Sequence, residues 1–496
     1  MNQNLVQQAW DLLGRGRADQ AAALTAEGAA RATAMPGLLI VHAAALKGLG
    51  RHGEALPFNE RAARAAPQDR LAWYNLAATN GDLGRQAEAE AAVRKAMGLG
   101  LDAPEAWLVL ARAIQFQHRY DEAEAAFQGA IARRAAFVDA HRDLAQLRWM
   151  RTADLDHALA PLKAVLVGQS DPRLLHVQAL VEEFAGKLPQ ALDTLRGGLR
   201  RHPGDIHLLL TAAHAAAELG DSAEGLAHAQ AAARLAPNAA PVLKALAEAL
   251  LATGDAAGAS SAAGAVVAAL PYDQHALALQ ATAWRILGDP RYGALYDYDA
   301  FVRPYVLPTP QGWPDLPSFL ADLRTRLGQL HDLETHPLQQ SLRGGAQVQS
   351  LHSSPEPLFQ AFFASARASV ERYAAEIGEG SDPLRIRRTG AAAIQGGWSV
   401  SLKPNGFHTD HVHPQGWVSS AFYIDLPPGV DDANKREGWI KFGQPGCATA
   451  PRLAAEHAVK PTPGTLVLFP SYMWHGTVPF TGDARRLTMA FDAVPG

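Results

Sequence analysis

Cysteine is almost absent. One residue of this type, Cys447, occurs in 496, so neither an internal disulfide nor a thiolate metal cluster can be built. An excess of positive charge is missing too. Lys and Arg number 45 against 49 Asp and Glu, a net −4, which argues against the broad basic surface of a nucleic-acid binder. No run of about 18 apolar residues occurs, so no membrane span is expected. The opening MNQNLVQQAW lacks a basic segment followed by an apolar one, so no secretory signal is expected either. Together these absences predict a protein of the reducing cytoplasm. Apolar residues at 48% and charged residues at 19% exclude wholesale disorder. Alanine is what the chain has in excess. It is dense before residue 290 and ordinary afterwards, so composition divides the chain in two.

The alanine-rich part is periodic. Gly16, Gly50, Gly84, Gly186, Gly220, Gly254 and Gly288 are spaced by 34 residues or multiples of 34, and the vacant slots hold His118 and Thr152. Five residues after each slot stands a small residue: Ala21, Ala55, Ala89, Ala123, Ala191, Gly225 and Ala259. His157 is the exception, with Ala158 beside it. Such a glycine is expected to end a first helix in the left-handed conformation. The small residue then lets a second helix pack closely on the first. Pro203, Pro237 and Pro271 close later units. In DRLAWYNLAATNGDLG the residues Leu71, Tyr74, Ala78 and Leu83 recur at the spacing of one helix face, with the polar Asn75 among them. This grammar resembles the tetratricopeptide repeat, most clearly in GRQAEAEAAVRKAM (84–97) and HRYDEAEAAFQGAI (118–131). The resemblance implies an all-α solenoid of about 8 repeats over residues 1–288, with a concave face for a protein or peptide. His118, His141, His157, His176 and His214 are read as surface or interface residues.

After Gly288 the period stops. Residues 291–317 are rich in aromatics and proline and read as a capping or linking segment. Helical spacing returns over 318–332 and 355–377. Between these lies HPLQQSLRGGAQ, whose glycine pair predicts a turn packed against the domain core. From about Leu384 the pattern becomes strand-like: RIRRTGAAAIQGGWSVSLKP, GWVSSAFYIDLP, EGWIKFG, GTLVLFPS and RRLTMAFDAV, separated by Pro and Gly turns. Short strands preceded by helices predict an α+β domain with a β-sandwich or jelly-roll core. The organisation is thus a solenoid over 1–288, a linker with flanking helices over 289–383, and a β core over 384–496.

Chemistry concentrates in two places. NGFHTDHVHPQGWVSSAFYI (405–424) holds His408, Asp410, His411 and His413 just before a strand, and FPSYMWHGTVPFTGDARRLTMAFD (469–492) holds His475 and then Arg485 and Arg486. Two ligands at i and i+2 project from one strand face. With one distant histidine they make a facial triad that leaves metal positions open. These motifs resemble the non-haem iron, 2-oxoglutarate-dependent dioxygenases. HxHP followed by GWVSSAFYI, with LRGGAQ upstream, is similar to a bacterial and phage branch whose members often carry tetratricopeptide repeats.

The resemblance implies a double-stranded β-helix that uses Fe(II), 2-oxoglutarate and O₂, with ascorbate as reductant in an assay. His475 corresponds to the distal metal ligand. Arg486 and Thr488 match the pair that grips the oxo-acid carboxylate, with Arg485 as second choice and Tyr423 as a further contact. The first ligand pair stays open. His411/His413 follows the branch motif, whereas His408/Asp410 supplies the carboxylate of the usual triad, and regular strand alternation puts the two pairs on opposite faces. Trp398 and Trp417 read as core or pocket lining, and Cys447 as an inert small residue. The expected function is hydroxylation of a protein or peptide side chain recruited by the solenoid. The alternatives are a small-molecule oxygenase using the solenoid for assembly, a non-catalytic scaffold, and a zinc- or iron-dependent enzyme that needs no oxo-acid, such as a zinc hydrolase, in which Arg486 has no role.

Overall fold

A computed structural model describes residues 2–496. It divides into two compact units, Met1–Leu147 and Arg148–Gly496. In the first, the helices Asn2–Gly14 and Ala18–Ala30, Pro36–Gly48 and His52–Ala65, Arg70–Asp82 and Gln86–Gly98, and Pro104–Gln115 and Tyr120–Arg133 form four successive pairs. The glycine beat is a conformational one. Gly16, Gly50 and Gly84 have φ of +72°, +72° and +74°, and His118 in the vacant slot adopts +60°. An L-residue tolerates this left-handed region only at a cost, which explains why glycine fills most slots. Ala21, Ala55, Ala89 and Ala123 are fully buried.

The buried face of Arg70–Asp82 is not the face of Leu71. Leu71 is 53% exposed, and Ala72, Leu76 and Ala77 lie inside instead. Alanines share that interior with Leu76, so residue size alone does not mark the core here.

The second unit continues the pairing from Leu155–Leu166 to Ala256–Ala269 and adds the unpaired helix Gln274–Leu287. Gly186, Gly220, Gly254 and Gly288 are again left-handed. The slot expected at Thr152 falls one residue later, at Ala153 (φ +53°). Ala158, not His157, fills the interior position, at 1% exposure. Gly225 shows why small residues are needed, since a Cβ there would lie 2.8 Å from the Ala213 carbonyl oxygen.

Nine strands follow. They are β1 (Arg303–Val306), β2 (Leu342–Val348), β3 (Ala392–His408), β4 (Val418–Asp425), β5 (Ile440–Phe442), β6 (His457–Val459), β7 (Thr465–Pro470), β8 (His475–Thr477) and β9 (Arg486–Pro495). Six form one antiparallel sheet in the order β1-β7-β4-β9-β3-β2, and three form a second, β6-β5-β8. The β part is therefore two open sheets and not a closed barrel. Helices Leu316–Leu330 and Pro357–Glu376 lie where the spacing predicts them. Phe362 of the latter meets Phe422 of β4 at 5.0 Å and Phe491 of β9 at 6.3 Å between ring centroids, covering one face of the large sheet.

Two strands of that sheet, β1 and β2, come from the stretch read as linker and flanking helices. The glycine pair of LRGGAQ is a strand irregularity and not a turn. Gly344 has φ +69°, and the pairing with β3 slips between Arg343 and Gly345. A paired partner strand converts the turn-forming signal into a bulge.

The later repeats and the sheets pack together in this unit. The Trp474 indole N–H donates to Thr282 Oγ1 at 2.9 Å, the Tyr296 hydroxyl to the Tyr472 carbonyl at 2.8 Å, and Arg285 pairs with Glu456 at 3.0 Å.

Overfilling a slot should unsettle the repeats without touching the β region. Ala89→Leu is expected to cost about 1–3 kcal/mol, read as a lower denaturant midpoint of the repeat transition.

Candidate functional site

The site begins where β3 ends. Its last residue, His408, pairs with Leu342 of β2, and the chain then leaves the strand through Thr409 and Asp410. His411 rejoins the structure through a reciprocal backbone pair with His475: His411 N–H to His475 O is 2.9 Å, and His475 N–H to His411 O is 3.1 Å. His413 N–H donates to the Ser471 carbonyl at 3.0 Å. These bonds bring three imidazoles together. The His411 and His475 ring centroids lie 4.2 Å apart, and both lie 5.0–5.1 Å from that of His413.

Each of the three rings is held by its Nδ1. That of His411 faces the Thr409 carbonyl at 2.8 Å, that of His475 the Met473 carbonyl at 2.9 Å, and that of His413 the Asp492 carboxylate at 2.7 Å. All three partners accept, so each Nδ1 carries its proton and each Nε2 presents a lone pair. The Nε2 atoms of His411 and His413 face one another at 3.1 Å. Burial, reinforced by the neighbouring histidines, drives the His411 pKa down to about 3 and that of His475 well below its ordinary value. Those two rings therefore stay neutral. Three converging nitrogen donors fit a divalent transition metal, and one potential donor atom from each ring lies within 4.8 Å of the others.

The alternative pair separates. His408 also faces the cavity, its ring 6.0 Å from that of His411, with Nδ1 2.9 Å from Ser341 Oγ. Asp410 turns away. Its Oδ2 accepts from Lys441 Nζ at 2.8 Å, and its Oδ1 is buried without a hydrogen-bond partner. Alternation across 408–410 fails because the strand ends at His408, so these two side chains do not share a face.

Strand β9 supplies the other wall. Alternation along it puts Arg486, Thr488, Ala490 and Asp492 on the cavity, which Met489 also reaches, while Phe491 is fully buried. Arg486 is 2% exposed and lies over the Tyr423 ring at 5.2 Å. Its Nε donates to the Gly438 carbonyl at 3.2 Å. Among the described residues no carboxylate pairs with it. Burial lowers its pKa, with Tyr423 acting in the opposite sense. The Tyr423 hydroxyl is buried against that guanidinium. A buried guanidinium without a counter-ion, beside a buried hydroxyl, fits the carboxylate of an oxo-acid. Arg485 is exposed and lies outside this cavity.

The cavity measures about 710 Å³. Trp398 lines it, stacked on His413 at 5.5 Å, whereas Trp417 is core, its indole donating to the Leu384 carbonyl. Several lining residues escape the sequence reading. Asp492 was available to it, since alternation from Arg486 reaches 492. Ser341 and Arg343 were hidden because β2 reads as a turn. Glu183, Phe184 and His214 come from repeat helices and also line the cavity, which no local signal reveals. His214 lies between Glu183 and Glu248, at 3.8 and 3.7 Å. Burial lowers its pKa, but these carboxylates prevail and raise it to about 9. His141 is not a surface residue; it is buried, with Nε2 2.8 Å from the Ala135 carbonyl.

Comparison with known proteins bears on both parts of the chain. Residues 396–492 match a family model described as "Putative 2OG-Fe(II) oxygenase". That family implies Fe(II), 2-oxoglutarate and O₂. Residues 71–99 match a tetratricopeptide repeat, a fold associated with protein–protein interaction in general. No curated protein matches the chain. Similar solved structures include the APC/C hetero-tetramer Cut9–Hcn1 (17% identity, TM-score 0.32, covering 56% of this chain and 55% of that one). Yeast Tom70 is another (16%, 0.44, 56% and 60%), as is a tetratricopeptide repeat protein from Parabacteroides merdae ATCC 43184 (15%, 0.36, 49% and 96%). The chain thus spans about half the length of the first of these. No helix among the described residues is long and apolar enough to cross a membrane.

Two histidines that support the site give it a pH dependence. His336 Nε2 contacts the Phe184 carbonyl at 3.0 Å, and His331 Nε2 contacts Ser399 Oγ at 3.0 Å. Burial, with Arg343 for His336 and Arg485 for His331, brings both pKa values down to about 4. The unfolded chain then takes up protons first as pH falls, so stability is complete above about pH 6.5 and is lost towards pH 4. The thermal midpoint of the metal-free protein should fall over that window, and His336→Gln should flatten the fall.

Proposed function

We propose that this protein is an Fe(II)- and 2-oxoglutarate-dependent dioxygenase that hydroxylates a protein or peptide side chain recruited by its repeats. One observation carries the reading. Three imidazoles with their Nδ1 atoms engaged converge in a cavity that also holds the unpaired guanidinium of Arg486. That buried cation favours a cofactor carrying a carboxylate.

In this reading His411, His413 and His475 hold the metal. Arg486 and Thr488, with Tyr423 beside them, bind the distal carboxylate of 2-oxoglutarate, the guanidinium by charge-assisted hydrogen bonds. When bound, this pair supplies oxidation of a substrate C–H bond by O₂, coupled to decarboxylation of the oxo-acid. Phe469, its ring 4.6 Å from that of His475, and Trp398, stacked on His413, give the metal side of the cavity an apolar lining. His408 forms a neutral polar wall, because burial and then the neighbouring His411 and Arg486 hold its pKa well below the ordinary value. Glu183, Phe184 and His214 belong to repeat helices and line the same cavity. This supports substrate contact by the repeats of the second unit and chemistry by 384–496, with 289–383 joining them. The single cysteine and the nitrogen donor set suit a reducing cytoplasm.

The reading makes a stoichiometric demand. Purified protein with Fe(II), ascorbate and 2-oxoglutarate should release succinate, and His475→Ala should abolish the release. Arg486→Ala should raise the KM for 2-oxoglutarate roughly tenfold or more, as loss of a charge-assisted bond worth about 1.5–3 kcal/mol requires. Turnover that survives His475→Ala unchanged sinks the proposal.

A further inference from the structure

The three imidazoles are not equivalent. His411 and His475 give their Nδ1 protons to neutral backbone carbonyls. Only His413 gives its proton to a carboxylate, Asp492 Oδ1 at 2.7 Å. The same oxygen accepts from Ser419 Oγ at 2.7 Å, and Ser419 is in turn linked to Ser471 Oγ at 2.8 Å. Ser419 and Asp492 are direct cross-strand partners on β4 and β9. Among the described residues no Lys or Arg pairs with Asp492, whose side chain is 14% exposed. Among the described residues His413 is thus the one ionisable group that Asp492 engages, with the Ser419 hydroxyl as its neutral partner. The surroundings are built to keep it there. A Cβ on Gly416 would come within 2.3 Å of Ser471 Oγ and 3.3 Å of the Asp492 carboxyl carbon, so glycine is what leaves this network its room.

We infer that Asp492 is the positioning residue of the metal centre, replacing, one hydrogen bond behind His413, the carboxylate that a three-histidine ligand set lacks. The inference rests on the metal reading above. A triad of two histidines and a carboxylate offers a divalent cation one negative charge at the ligand atoms. Three neutral histidines offer none. A carboxylate on the distal ring nitrogen returns that charge through the imidazole, fixes its tautomer and makes Nε2 a stronger donor. The carboxylate sought near the first histidines, Asp410, cannot serve, because Lys441 neutralises it.

Metal binding tests this without any turnover. The metal-free full-length protein is titrated with Co(II), followed by its visible absorption and by competition with a chromophoric chelator. Asp492→Asn keeps the size and an acceptor oxygen and removes only the charge. It is expected to weaken Co(II) binding by roughly 10- to 100-fold while leaving the metal-free melting temperature where it was. Ser419→Ala should give a smaller loss in the same direction, and Asp410→Asn should bind Co(II) as the wild type does. A wild type that binds Co(II) alongside an Asp492→Asn variant of equal affinity and spectrum overturns the role of Asp492 alone. Loss of binding in Asp410→Asn with retention in Asp492→Asn overturns it in favour of the other carboxylate. A wild type that takes up no Co(II) overturns the metal reading and this inference with it.

Discussion

The reciprocal backbone pair between His411 and His475 is the constraint on which the site depends. It joins the segment that follows β3 to the short strand β8, and so ties the large sheet to the small one at the point where the imidazoles meet. Neither histidine lies in a long regular strand. Two hydrogen bonds of 2.9 and 3.1 Å hold their rings 4.2 Å apart, closer than either is to His413. Once that pair is made, the turn through Pro414 and Gln415 into β4 sets the position of His413, and the Nδ1 bonds set the direction of each lone pair.

Strand β9 acts as a ruler for the rest. Its period of two brings Arg486, Thr488, Ala490 and Asp492 along one face, so a single strand reaches from the unpaired guanidinium to the carboxylate behind His413. The opposite face is spent on packing, with Phe491 against Phe362 and Phe363 of the covering helix. A one-residue slip would turn Arg486 to the packed face and Phe491 to the cavity, so the packing of the helix fixes the register of the polar face.

The repeats contribute more than a handle. In the second unit, helices Pro172–Phe184 and Ile206–Glu218 bring Glu183, Phe184 and His214 to the same cavity as the histidine cluster. Arg343 of β2 lies over the Phe184 ring at 5.0 Å, and His336 contacts the Phe184 carbonyl. Repeat helices and the histidine cluster therefore share one cavity wall, which a solenoid on a free linker would not allow.

Much of this was legible in the chain itself. A left-handed residue every 34 positions, the alanines behind it, His475 after its strand and the Arg-x-Thr pair are local patterns. Backbone sterics and strand alternation impose them whatever the surroundings. Three things were decided only by the tertiary structure. Leu71 lies outside while Ala72, Leu76 and Ala77 lie inside, because the neighbouring helices decide which face of Arg70–Asp82 is covered. LRGGAQ became a strand because β3 was there to pair with it. The carboxylate went to Asp492 and not Asp410, because β3 ends at His408 while β9 runs on beside β4. Spacing of two residues predicts a shared face only inside a strand, and where a strand ends is settled by its hydrogen-bonded neighbours.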